Sequence, residues 1–185
     1  MALDRTKIAN NALQLIGGGR LLNIDTDKGV EADAVRDTFD FSLHACLSVR
    51  RWNRFSKRAL LPRDVNKPAW GYETQHLLPA DCIKVWEVAE IDRGGWVVEG
   101  DYLLTDLGEG AKIIYCAENN AAFDPLFNCV LAGLIAFHVA SSLHRKEEQK
   151  AYQYYEAMLA KAARADAIEA PAEEYTASPW YEGQI

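Results

Sequence analysis

FDPLFNCVLAGLIAFHVASSLHR, residues 123–145, decides how this chain folds. Asp124 precedes Pro125, so a capping acceptor stands just before the residue best suited to a first helical position. From Leu126 onward the stretch is apolar almost all round. A helix of that kind is enclosed by other elements, whereas a surface helix keeps one polar face. Its longest apolar run, VLAGLIAFHVA (residues 130–140), is too short to cross a bilayer. The stretch therefore reads as a central, buried helix, and no membrane partner is expected.

The neighbouring segments supply helices to surround it. After a break near Leu143 to Lys146, an Ala-rich helix carries Ala151, Tyr155, Met158, Leu159 and Ala162 on one face. At the other end of the chain, LDRTKIANNALQLIG (residues 3–17) places Ile8, Ala12, Leu15 and Ile16 at helical spacing, with Asp4 as N-cap. Gly17, Gly18 and Gly19 stop that helix, since glycine accepts the positive φ of a helix C-terminus. The triple glycine is not read as a phosphate loop, because such a loop follows a strand and precedes a helix. LLNIDTDKG is a connector. In the next segment Val35, Phe39, Leu43, Cys46 and Leu47 step by three and four along one helical face.

From residue 53 to 119 the pattern changes. CIKVWEVAEI, WVVEGDYLLTD and AKIIYCAE are strand-like, DRGG reads as a hairpin turn, and LPRDVNKP and LPAD are proline turns. Three to five antiparallel strands are expected. Residues 171–185, PAEEYTASPWYEGQI, hold three acids, no base and too little apolar material to fold alone. The expected fold is α+β but mainly α. Residues 1–52 and 120–170 form a helical bundle, residues 53–119 an inserted antiparallel β region, and residues 171–185 an extended tail.

Composition bounds the function. At 185 residues and 49% apolar content, one domain with a sizeable core is expected. A net charge of −7 argues against a protein that coats DNA, because that takes many cations on one face. The N-terminus shows no basic start followed by an apolar run, so no signal peptide is read. Cys46, Cys82, Cys116 and Cys129 are too far apart for paired zinc ligands or a small disulfide scaffold, and read as reduced core thiols. His44, His76, His138 and His144 have no second ligand pair at metal spacing. Ser141, Ser142 and His144 lack the sharp turn that exposes a nucleophilic serine. Among 27 acids, carboxylate pairs are inevitable and carry no signal. No catalytic, cofactor or metal site is therefore assigned.

One stretch stands apart from the acidic background. RRWNRFSKR, residues 50–58, has five positive charges and no negative one. Arg50 and Arg51 fall at a helix C-terminus, where cations complement the helix dipole. Trp52 and Phe55 are expected to face the body. Arg50, Arg51, Arg54, Lys57 and Arg58 then form a solvated face, a surface for an acidic neighbour, or a contact to passing DNA. No recognition-helix context accompanies them.

The order of parts resembles a known family. WNRFSKRALL (52–61), the stretch from Tyr72 to Val85 containing LPADCIKV, EGDYLLTD (99–106) and FDPLF (123–127) occur in sequence, and together cover most of residues 3–168. In this order they resemble the tail tubular protein A family, the head-to-tail adaptor of short-tailed phages. The resemblance implies a helical body with a β-rich insertion, made in the host cytoplasm and placed in the virion. It implies a ring of copies of the chain, usually dodecameric, that joins the portal protein to the tail nozzle protein. DNA passes through the channel without specific recognition, and no catalysis is implied.

In such adaptors the C-terminal segment tends to reach toward the portal, and here it is the least matched part. Tyr175, Trp180 and Tyr181 are candidate interface anchors, because aromatic residues dominate interface energetics. A loose terminus is the plainer reading of the same residues. Two rivals remain: a cell-wall hydrolase used during entry, and a small DNA-binding module.

Overall fold

The computed structural model describes residues 4–91, 94–117, 124–143 and 145–169. Two helices come first, α1 (Arg5–Leu15) and α2 (Val30–Val49). Six strands follow: β1 (Ser56–Pro62), β2 (Thr74–Leu77), β3 (Cys82–Val88), β4 (Trp96–Glu99), β5 (Tyr102–Thr105) and β6 (Gly110–Ala117). The chain returns to helix in α3 (Pro125–Ser142) and α4 (Glu148–Glu169).

The helix ends form for local reasons. Asp4 accepts a hydrogen bond from the Lys7 amide at 2.9 Å, and Asp124 accepts one from the Leu126 amide with Pro125 at the first helical position. α1 ends in a Schellman arrangement: the Gly18 amide donates to the Leu13 carbonyl at 2.8 Å and the Gly17 amide to the Gln14 carbonyl at 3.4 Å. Gly17, at φ +68°, supplies the left-handed residue this cap requires. The Gly19 amide donates to Glu31 Oε2 at 2.8 Å. All three glycine amides are thus held by the chain itself.

α3 is the centre of the helical layer, with α1, α2 and α4 packed against it. Its 18 residues are long and apolar enough to cross a membrane by length and composition, more than the 11-residue run in the sequence suggested. Ten of them are buried inside the protein, among them Phe127, Leu131 and Ile135. Trp52 and Phe55 turn inward onto Phe127, with ring centroids 5.2 and 4.8 Å away, and the Trp52 indole N–H donates to the Cys46 carbonyl at 2.8 Å.

The expected mainly α bundle is corrected. The described residues are 47% helical and 22% strand, arranged as four helices and two three-stranded antiparallel sheets. The strand orders are β1-β6-β3 and β2-β5-β4. The sheets share a core of their own, in which Leu103 of one sheet meets Leu61, Val85, Ile113 and Tyr115 of the other. All six strands lie between α2 and α3, and the β region is thus a second packed layer system with a core of its own.

Two local readings change with it. WVVEGDYLLTD is a hairpin of two strands, since Glu99 pairs with Tyr102 around a two-residue turn whose first residue, Gly100, has φ +57°. DRGG joins strands that do not pair, because β3 and β4 belong to different sheets; Asp92 and Arg93 lie outside the described residues. β1 and β2 complete the six strands, where three to five were expected. Lys57, Arg58 and Pro62 interrupt the apolar alternation of β1, and β2 has only four residues, so both are weak signals.

Candidate functional site

The basic stretch lies where the helical layer meets the first sheet. α2 ends at Val49, residues 50–52 run extended into a 3₁₀ turn at Asn53–Phe55, and β1 begins at Ser56. Trp52 and Phe55 are buried and fix this path, leaving Arg54 between them and the flanking cations at the surface or half-buried.

Four of the five cations are held by acids of the same chain. Arg50 Nη2 lies 3.2 Å from Asp166 Oδ2 on α4, and its guanidinium sits over the Trp52 ring at 4.9 Å. Arg51 pairs with Glu87 of β3 at 3.0 Å, Arg54 with Glu169 at 3.3 Å, and Lys57 with Asp81 at 2.7 Å. Asp81 also accepts from the Tyr115 hydroxyl at 3.2 Å. The hydrogen bond from Lys57 holds the Asp81 carboxyl below the usual carboxylate range, and the same bond raises Lys57. Arg58 is exposed and has no ion pair among the described residues.

Asp166 is the best-engaged acid of the set. Its other carboxylate oxygen accepts from the Asn53 amide at 3.0 Å, and its carbonyl accepts from the Asn53 side chain at 2.8 Å. The last turns of α4 are therefore fastened to the segment that leads into β1. A second staple ties the connection between α3 and α4 to the end of α1 and the start of α2. Arg145 donates to the Ile16 carbonyl at 3.0 Å and pairs with Glu31, which also holds the Gly19 amide.

The other sequence candidates are dispersed. Tyr175, Trp180 and Tyr181 lie outside the described residues, as does His144. His76 is fully buried between the sheets. Its Nδ1 faces the Pro62 carbonyl at 3.1 Å, so that nitrogen carries the proton, and Nε2 faces the Thr74 and Thr105 hydroxyls at 3.3 and 3.4 Å. This is a satisfied structural knot joining β1 to β2 and β5. Among the described residues no group of three His, Cys, Asp or Glu is placed to hold a metal. Glu90 and Glu109 line one groove of about 490 Å3. Both are exposed and Glu90 is held by Lys112 at 2.9 Å, whereas a carboxyl general acid needs a desolvated pocket.

The cysteines make a direct check on the packing. Burial pushes the Cys46 thiol up to about 12 and the Cys116 thiol to about 11, and it also raises Cys82. The thiolate is the reactive form. Cys82 and Cys129 are only half-buried, whereas Cys46 and Cys116 are fully buried, so at pH 8 a disulfide reagent should label Cys82 and Cys129 first in the native protein. Cys46 and Cys116 should react only as fast as the protein opens. Rapid labelling of all four without denaturant would contradict this packing.

Sequence reading missed a partly exposed aromatic row. Phe41 on α2 is 64% exposed and stands edge-on to His138 of α3, with centroids 5.3 Å apart. The row continues through Phe137 to Tyr152 and Tyr155 of α4. The signal was available, because Phe41 falls off the stripe formed by Val35, Phe39 and Leu43. Trp70, in the loop between β1 and β2, is 86% exposed. The chain matches no protein-family model, and no curated protein matches it.

Proposed function

We propose that this chain is a structural subunit of a head-to-tail adaptor ring of a short-tailed phage. In this reading, copies of the chain join the portal to the tail nozzle around the channel through which DNA passes. The chain performs no catalysis and acts by geometry. The ordered motifs from WNRFSKRALL to FDPLF support the family, and the α+β architecture replaces the bundle that the resemblance implied.

The observation that carries the reading is the open side of the helical layer. α4 has 22 residues, yet only Ala151 and Ala162 are buried in it. Beside it runs the aromatic row from Phe41 to Tyr155. Long helices half covered by their own chain, with Phe41 and Tyr152 of the row exposed, suit a subunit that completes its packing against neighbours. The ion pairs of the basic stretch fit a stiff building block better than a DNA-binding surface, which needs its cations free for phosphate.

Electron microscopy of the protein mixed with the portal protein of its own phage tests the proposal. The expected result is a ring of added density beneath the portal. Folded protein that adds no density would overturn the adaptor reading.

A further inference from the structure

A groove of about 550 Å3 lies on the face of the first sheet that continues from its contact with α2, lined by Arg58, Leu60, Glu87, Ala89, Lys112 and Ile114. Register explains the set. Arg58 pairs with Ile114 and Leu60 with Lys112 across β1 and β6, while Ile114 pairs with Glu87 on β3. Side chains at these positions share one face. Closer to the helices the same face is covered: the Cys116 thiol donates to the Leu47 carbonyl at 3.5 Å and Lys84 to the Ser48 carbonyl at 2.9 Å. Beyond that contact the face is open, and Leu60 is 68% exposed.

We propose that this groove seats the chain's own C-terminal segment, residues 171–185. The exit point of α4 argues for it. Asp166 is bound to Arg50 and Asn53, and Glu169 is paired with Arg54. The helix therefore ends beside the segment that enters β1, and beyond Lys57, which Asp81 holds, Arg58 is the next cation along that path. Charge argues for it as well. Arg58 is the one cation of the stretch with no ion pair among the described residues, and the segment brings Glu173, Glu174 and Glu182 without a base. Composition agrees, since Tyr175, Trp180 and Tyr181 match an apolar floor of Leu60, Ala89 and Ile114. Length permits it: the 16 residues after Glu169 reach at most roughly 55 Å when extended. A seven-residue strand such as β1 is only about 23 Å long. This assignment is independent of the adaptor reading.

Amide hydrogen exchange on the full chain, read by mass spectrometry, tests it. Segment 171–185 is expected to exchange at least tenfold more slowly than a synthetic peptide of the same sequence. Arg58→Glu should remove that protection and leave α3 protected. Reversing Glu173 and Glu174 to Lys in the Arg58→Glu chain should restore it. Segment exchange at the free-peptide rate, or protection indifferent to Arg58→Glu, would overturn the proposal. Protection that rises with protein concentration would also overturn it, because the segment would then sit on another copy.

Discussion

Replacing Gly133 by valine should lower the melting temperature by roughly 10 °C, at about 2–4 °C per kcal/mol for a chain of this size. Gly133 sits in the middle of α3, where α4 crosses it. A Cβ at this position would stand 2.9 Å from Tyr155 Cα, 3.2 Å from Tyr155 Cβ and 3.1 Å from Tyr154 Cδ1. The nearest atom is backbone, so it cannot swing aside as the end of a side chain can. Two effects oppose each other. Glycine costs a helix interior about 1 kcal/mol relative to alanine, so a roomy site would gain from the change. Overpacking a tight site costs about 1–3 kcal/mol and more for branched side chains. At 2.9 Å from backbone, overpacking wins. Gly133→Ala should be mildly destabilising, and Gly133→Val should cost about 3 kcal/mol as the two helices move apart. Thermal unfolding followed by circular dichroism decides it. A Gly133→Ala variant that melts higher than the parent would show that the close approach of α3 and α4 is wrong.

That close approach shows where sequence reading stops. The burial of α3 was legible, because a segment apolar all round has one solution in water. The caps at Asp4, Asp124 and Gly17 were legible for a related reason: each is set by residues within a few positions of one another. Pairing between distant segments was not. Nothing near Glu99 says that the next three residues reverse the chain, except that Gly100 must be recognised as the turn. Nothing near Lys57 or Arg58 marks a strand whose partner, β6, lies more than fifty residues away. The mainly α expectation failed on that point. Short, charged or proline-bearing strands carry little periodicity, yet once paired they enclose a core around Leu103 and Ile113.

The basic stretch was visible as composition and invisible as geometry. Five cations in nine residues invite a partner or a nucleic acid. Their acids are supplied from three other places in the chain: the loop before β3, β3 itself and the end of α4. Asp81, Glu87, Asp166 and Glu169 have no sequence feature that sets them apart from the other acids. Their role follows from Trp52 and Phe55, which anchor the stretch on Phe127 and leave Arg50, Arg51, Arg54 and Lys57 around them facing those carboxylates.

Asp166→Ala should therefore cost about 2–3 kcal/mol, the loss expected for hydrogen bonds to a charged group with a donor left unpaired. The Asp166 side chain is only 11% exposed and accepts from two donors, the Asn53 amide and Arg50. The donors differ in what they lose. Arg50 keeps its place over Trp52 and is 28% exposed, so water recovers part of its solvation and its share of the cost is small. The Asn53 amide is tied into the turn and loses its side-chain acceptor. Asp166→Asn should then cost about half as much as the alanine change, since an amide oxygen still accepts from Asn53 while the charge opposite Arg50 is gone. The melting temperature should fall by roughly 4–12 °C for alanine and by about half that for asparagine. If the cations of this stretch instead served a partner or DNA, Asp166→Ala would leave stability unchanged and free Arg50 for binding. Equal melting temperatures for the parent and the alanine variant would return the stretch to that reading. A graded loss, alanine worse than asparagine, would show Asp166 fastening α4 to the approach of β1.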